Sequence, residues 1–269
     1  MQLPALLRSR RPTVSVVSLS GVIAAGARGG LSLEGVAPLL GRAFRKRGTR
    51  AVALRINSPG GSPVQSSLIG ATIRRLADET ALPVHAFVED VAASGGYWLA
   101  AAADDVWLDE SSITGSIGVI SAGFGFVDAI AKLGVERRVH TAGEDKSMLD
   151  PFRPERPQDL ERLTALQSRI HDSFIAHVRA RRGTKLDETR DLFTGEIFVG
   201  QDAVEAGLAD GIAHLVPKIK ALYGKDVRFR SLARRRPLMA RLIPGIASEA
   251  TAAAFEALDE RAMRARLGL

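Results

Sequence analysis

Short apolar runs rich in β-branched residues alternate with helical patterns along the first part of the chain. "VSVVSLSG" precedes a helix predicted from about Leu33 to Arg47, and "AVALRIN" precedes one from about Pro63 to Glu79. "PVHAFVED" precedes a third helix, which starts after Ser94. This alternation is typical of βα units, in which helices cover both faces of a parallel sheet. The pattern predicts an α/β fold.

The later elements are shorter or less regular. Two further strands are predicted over Asp105 to Asp109 and Ile117 to Ser121. A long amphipathic helix is predicted over Pro157 to Arg182, with apolar residues at helical spacing, and a last helix over His214 to Tyr223. The apolar residues of the long helix are Leu160, Leu163, Leu166, Ile170, Phe174 and Val178.

Composition limits the chemistry. The chain of 269 residues has no cysteine, which excludes disulfides, thiolate nucleophiles and cysteine zinc sites. Its five histidines have no metal-ligand spacing, so a metal site is not expected. The length fits one large domain with an appendage. We expect a tail over residues 1–12, a catalytic domain over 13–230 and a basic, helical extension over 231–269.

The net charge of +7 lies in the C-terminal part of the chain. Residues 218–269 hold twelve Lys/Arg and five Asp/Glu, while the first 217 residues hold twenty-five of each. No nucleic-acid motif accompanies this charge, so nucleic acid is not an expected partner. The cluster Arg234 to Arg236, followed by Leu238, Met239, Leu242 and Ile243, has the composition of interfacial segments. Membrane contact, docking on a neighbouring subunit and a solvated extension all remain open for it.

The sequence shows neither a signal peptide nor about 18 consecutive apolar residues that could span a membrane. We therefore expect a cytoplasmic protein, with the basic extension as the segment that could hold it against the inner face of the membrane.

Glycine-rich loops follow two of the predicted strands, at the sheet edge where sites form in parallel sheets. In "INSPGGS", Gly60 and Gly61 permit positive φ and exposed N–H groups, as an anion-stabilising loop requires. A tight turn before a helix would have the same sequence. In "AASGGYW", Gly95 and Gly96 leave Ser94 unshielded as a candidate nucleophile, although a serine at this position is also a common N-cap.

A serine nucleophile needs a base, and no histidine stands in a suitable glycine-flanked loop. Lys146, in "TAGEDKSMLDPF", is the candidate. A lysine acts as a base only in its neutral form, which an apolar environment favours. Taken alone, Lys146 could equally be a solvated surface residue.

Several motifs together resemble the signal peptide peptidase A family of serine proteases, over about Val14 to Tyr223. The motifs are "INSPGG", "DVAASGGY", "ITGSIGV", Gly143-x-x-Lys146-x-x-x-x-Pro151-Phe152 and the run that ends in "GLAD" at Asp210. The resemblance implies a Ser/Lys dyad of Ser94 and Lys146, and oxyanion donors at the backbone N–H groups of Gly61 and Gly95. It also implies that Ser116 helps to orient the lysine.

The resemblance further implies a ClpP/crotonase-type ββα superhelix, peptide or protein substrates, no cofactor and a ring-like homo-oligomer. Two features depart from the family pattern. We expect this chain to lack the N-terminal membrane anchor common among bacterial members, and Glu196 stands where a basic residue is expected. Two other readings stay open: a crotonase-like acyl-CoA enzyme, and a scaffold or membrane-surface protein with a degenerate site.

Overall fold

The computed structural model describes residues 11–26, 30–143 and 145–232. The strands are β1 Thr13–Ser20, β2 Thr49–Ser58, β3 Val84–Ala93, β4 Asp105–Leu108, β5 Ile113–Gly115, β6 Ile197–Val199, β7 Gly211–Ile212 and β8 Arg228–Leu232. The helices are α1 Leu33–Arg45, α2 Pro63–Thr80, α3 Gly95–Ala101, α4 Val127–Lys132, α5 Pro157–Arg182, α6 Gly200–Glu205 and α7 Leu215–Tyr223, with a 3₁₀ turn at Gly183–Lys185.

These strands form one sheet in the order β6-β5-β3-β2-β1-β8, with β4 and β7 on a side branch. All pairings are parallel except that of β5 with β6. Strand β3 pairs with β2 along one side. Its other side pairs first with β4, from His85, and then with β5, from Val91. The α/β fold with a parallel sheet is therefore confirmed, and β5 ends beside the end of β3.

Helices cover the two faces of the sheet unequally. The larger core packs α1, α2, α3 and the C-terminal half of α5 against one face. Among the helices that the structure describes, only α7 covers the other face, through Ile219 and its neighbours. The buried His85 holds α7 in place, because its Nδ1 pairs with Asp105 at 2.9 Å and its Nε2 with the Tyr223 hydroxyl at 2.7 Å.

The predicted helices over α1, α2, α5 and α7 are confirmed to within two residues at each end. The strand predicted over Ile117 to Ser121 is wrong, because the strand is Ile113–Gly115. The chain leaves the sheet at Gly115 and Ser116, whose φ angles of 87° and 50° are incompatible with a continuing strand. Ile117 is buried in the core and does not pair with another strand, so its apolar side chain reflects core packing.

The sheet runs to Leu232, so the first two residues of the predicted C-terminal extension belong to β8; the rest of the extension, with its arginine cluster, lies outside the described residues. Within the described part of the chain, no helix is long and apolar enough to cross a membrane. The same residues contain no group of histidine, aspartate or glutamate side chains placed to hold a metal ion.

Asp210, the last residue of the "GLAD" run, joins the end of α5 to the sheet. Its carboxylate accepts hydrogen bonds from Arg182 Nη1 at 2.6 Å, Lys185 Nζ at 2.6 Å and the Val106 N–H at 2.8 Å. Arg182 is buried and also donates from Nε to the Gly207 carbonyl. Burial raises the pKa of the Asp210 carboxyl, but hydrogen bonds from Arg182 and Lys185 lower it more, so this pKa lies below its usual range.

We predict that Asp210→Asn lowers the free energy of unfolding at pH 7 by about 3 kcal/mol, because it leaves Arg182 buried without its counter-ion. The folded-state pKa of Asp210 lies below the unfolded value of about 3.9. Its contribution is therefore present above about pH 4 and is lost as the pH falls further. Urea unfolding at pH 7 and at several values below 4 measures this, with the exposed Asp226→Asn as control. Equal stability of the two variants at pH 7 would contradict the assignment.

Candidate active site

Ser94 occupies the turn between β3 and α3 with φ 51° and ψ −121°. The turn is fixed by its backbone: the Ser94 N–H donates to the Gly115 carbonyl at 2.9 Å, and its carbonyl accepts from the Trp98 N–H at 3.0 Å. The side chain makes no capping hydrogen bond, so Ser94 does not serve as an N-cap. A non-glycine residue in this region of φ/ψ space stores about 1–3 kcal/mol of strain. The hydroxyl is thus displayed at a strained turn and is not used for local structure.

The two glycine loops meet at Ser94. A Cβ on Gly60 would lie 2.8 Å from both the Gly95 nitrogen and the Ser94 Cβ. A Cβ on Gly95 would overlap Ser66 Oγ, and one on Gly96 would overlap the Ser58 carbonyl. The loops can approach this closely only because these positions lack a side chain.

The N–H groups of Gly61 and Gly95 lie at this contact. The Gly61 loop is held by the Ile23 N–H, which donates to the Gly60 carbonyl at 2.8 Å, and by the Ser62 N–H, which donates to the Ile23 carbonyl at 2.7 Å. Among the residues that the structure describes, neither the Gly61 N–H nor the Gly95 N–H donates to an acceptor. Two backbone donors beside a serine hydroxyl are what an oxyanion hole requires.

A cleft of ≈ 840 Å³ opens at Ser94. Its lining comes from both glycine loops, the segment after β5, α5 and the segment before β6. It includes Gly61, Ser94, Ser116, Val119, His171 and Glu196. The structure therefore brings Ser94, Gly61 and Ser116 to one cleft, and Gly95 follows Ser94 directly in the chain.

Ser116 and Glu196 hold one wall of the cleft together. The Ser116 N–H donates to the Glu196 carbonyl at 2.7 Å, next to the antiparallel pairing of β5 with β6. Glu196 is thus held in the wall by its backbone carbonyl, and its side chain is exposed. His171 is a residue of the cleft that the sequence does not predict. Its Nε2–H donates to the Ile117 carbonyl at 2.9 Å, and a lone histidine on an amphipathic helix gives no signal of such a contact.

Lys146 lies apart from this group. It is exposed, in a turn where its N–H donates to the Gly143 carbonyl at 3.3 Å. It is not among the described residues that line the cleft. The role of Lys146 as a base therefore stays a prediction, since a single chain does not place it at Ser94.

We predict that Ser94→Gly stabilises the protein by about 1–2 kcal/mol relative to Ser94→Ala, since only glycine relieves the positive φ at this turn. Both variants should lose peptidase activity. Denaturant unfolding of the two variants measures the difference, and Ser111→Gly compared with Ser111→Ala in an exposed loop is the control. Equal or lower stability of Ser94→Gly would show that the turn is unstrained.

Comparison with known proteins identifies the family to which the chain belongs. Peptidase family S49 matches residues 77–222, more than half of the chain. A Brucella melitensis protein named Na(+)/H(+) antiporter NhaA is 47% identical over 247 residues, which cover 91% of this chain and 34% of that protein. The chloroplastic serine protease SPPA of Arabidopsis thaliana is 28% identical over 257 residues, which cover 90% of this chain and 38% of that protein.

The chain thus spans about a third of the length of each of these relatives, and the antiporter name describes a much longer protein. Among solved structures, a mutant of the 1510-N membrane-bound stomatin-specific protease matches with a TM-score of 0.52 at 14% identity. That match covers 84% of this chain and 99% of the other, and it shows a shared fold of the ClpP/crotonase type. The chain therefore belongs to peptidase family S49, the signal peptide peptidase A family of serine peptidases.

Proposed function

We propose that this chain is a serine endopeptidase in which Ser94 attacks a peptide carbonyl and Lys146 accepts its proton. The observation that carries the proposal is the strained turn at Ser94, held against a second glycine loop with two backbone N–H groups uncommitted. Such a turn has a cost in stability and no structural use for its side chain. A catalytic hydroxyl explains both.

The reaction proceeds in two halves. The Ser94 Oγ bonds to the carbonyl carbon while its proton moves to neutral Lys146, and the resulting oxyanion accepts hydrogen bonds from Gly61 and Gly95. The tetrahedral intermediate collapses, the C–N bond breaks, and Lys146 returns the proton to the leaving amine. Water then attacks the acyl-enzyme with Lys146 again as base, which releases the acid and regenerates Ser94. Peptide hydrolysis by this route requires no cofactor.

Lys146 lies on a segment that we call the arm and define as residues 120–143 and 145–156. Its helix α4 has no buried residue, and Phe124 and Leu133 are 81% and 77% exposed. The arm has internal contacts, such as the Phe126 ring on Phe152, and it contacts the start of α5, where Asp159 accepts a hydrogen bond from the Leu149 N–H at 3.4 Å. An exposed lysine is a poor base, because water favours its charged form.

We therefore propose that the protein works as a homo-oligomer in which a second copy covers the arm and removes Lys146 from water. The first half of α5 supports the same interface, since Leu160 and Leu166 are exposed and only Phe174 and Val178 of its apolar stripe are buried. Contiguous exposed apolar side chains of this kind mark association surfaces. Substrates would reach the enclosed cleft as extended or unfolded peptide chains.

We predict that Ser94→Ala and Lys146→Ala each lower kcat/KM for peptide cleavage by at least about 10³-fold, because each removes half of a unit that acts together. Lys146→Arg should fail as well, since a guanidinium stays protonated. Lys225→Ala, which removes an exposed lysine outside the arm and outside α5, is the control and should retain activity. Peptidase activity that survives in Lys146→Ala would eliminate Lys146 as the base.

We predict that Phe124→Asp combined with Leu133→Asp dissociates the oligomer and abolishes peptidase activity together, because both charges would lie in the interface. Sedimentation velocity and a peptide-cleavage assay on the same samples measure the two effects. Val216→Asp places a charge at an exposed apolar residue of α7 and is the control. A fully active monomer, from either the wild type or the double variant, would contradict the proposal.

A further inference from the structure

A second, smaller cavity lies directly beneath Ser94. Its volume is ≈ 20 Å³, and it lies between the starts of α2 and α3, the segment after β5 and the middle of α5. The residues that matter here are Gly61, Ser94, Gly95, Trp98, Val119 and Phe174. The nucleophile and both proposed oxyanion donors thus border this cavity, as Gly61 and Ser94 also border the large cleft.

We infer that this cavity receives the side chain of the residue whose carbonyl Ser94 attacks, and that Trp98 restricts that residue to alanine, serine or glycine. The inference rests on the proposed function. A carbonyl bound between Ser94 and the N–H groups of Gly61 and Gly95 has its own Cα one bond away, at the mouth of the small cavity. The rest of the substrate chain then lies in the large cleft.

The volume of the small cavity limits the size of the side chain that it can receive. A site for one water molecule needs about 10–15 Å³ by the same measure, so ≈ 20 Å³ accommodates roughly a methyl or hydroxymethyl group. A leucine or phenylalanine side chain would have to displace the surrounding side chains, and overpacking of this kind is unfavourable.

Trp98 forms the floor of the cavity and is held from three sides. Its ring stacks on His177 with centroids 4.4 Å apart and packs against Phe174 at 5.1 Å. A Cβ on Gly70 would lie 3.1 Å from the indole, so α2 also contacts the ring closely. Trp98 is 7% exposed. An indole packed in this way cannot turn aside to admit a larger side chain.

His177 keeps this arrangement at neutral pH. Its Nε2–H donates to the Trp98 carbonyl at 3.0 Å, which ties the imidazole to the same residue that it stacks upon. Burial lowers the pKa of His177, against the opposing effect of that hydrogen bond. The neutral imidazole therefore remains stacked on the indole, and the floor is fixed by α3 and α5 together.

The test uses the full chain and peptides that differ only in the residue before the cleaved bond: alanine, leucine or phenylalanine. The wild type should cleave the alanine peptide at least about tenfold more efficiently, by kcat/KM, than either of the others. Trp98→Phe enlarges the cavity and should raise the leucine-to-alanine ratio about tenfold. Trp107→Phe, on the opposite face of the sheet beside Lys218, is the matched control and should keep the wild-type ratio.

The wild-type profile tests the inference even if Trp98→Phe fails to fold. Cleavage of all three peptides with similar kcat/KM, or an unchanged ratio in a folded Trp98→Phe variant, would overturn the inference and leave the proposed function standing. Binding of the same peptides to Ser94→Ala is measured in parallel by calorimetry, with alanine again preferred. If no peptide is cleaved by the wild type or bound by this variant, the inference and the proposed function both fail.

Discussion

The site depends on the close approach of two loops that end neighbouring parallel strands. Gly60 contacts Ser94 and Gly95 so closely that a methyl group at position 60 would collide with both. This contact puts the hydroxyl of one loop beside the uncommitted N–H groups of Gly61 and Gly95. Ser94 adopts its positive φ at the same place, where the chain reverses from β3 into α3. The strained turn, the hydroxyl and the two donors therefore lie together at one contact between the loops.

The branching of the sheet completes the site. Because β3 exchanges β4 for β5 along one side, the end of β5 reaches the turn at Ser94, where the Gly115 carbonyl accepts its N–H. Ser116 follows immediately and turns the chain outward to form one wall of the cleft. Helix α5 supports that wall through His171 and supports α3 through His177. One long helix thus positions both the wall of the cleft and the floor of the small cavity.

Much of this could be predicted from the sequence, because the determinants are local. Continuous apolar runs predicted the central strands, and the glycine pairs at Gly60 and Gly95 marked the loops that meet at the sheet edge. The strand predicted over Ile117 to Ser121 is wrong, since burial of Ile117 in the core gives the same apolar signal as strand pairing. His171 and Trp98 were missed as site residues, because their roles depend on contacts across the fold that leave no periodic pattern. In the sequence, Asp210 stands out only as the end of a family motif. In the structure, its ion pair with Arg182 explains why an acidic residue stands there.

The position of Lys146 could not be derived from one chain at all. Lys146, Phe124 and Leu133 are all exposed in the single chain that the structure describes. In the proposed homo-oligomer the same residues would face another copy, and the environment of the lysine would be set there. This is also why the sequence could suggest the residue from family resemblance but could not give its geometry.

The central claim is that Ser94 is a nucleophile activated by its turn and its lysine. The most direct measurement is covalent labelling of the full-length protein with a serine-directed phosphonate, followed by peptide mapping by mass spectrometry. The account predicts one adduct, on Ser94, that disappears in Ser94→Ala and forms far more slowly in Lys146→Ala. Labelling that persists in Ser94→Ala, or an unlabelled wild type that still cleaves peptides, would contradict it.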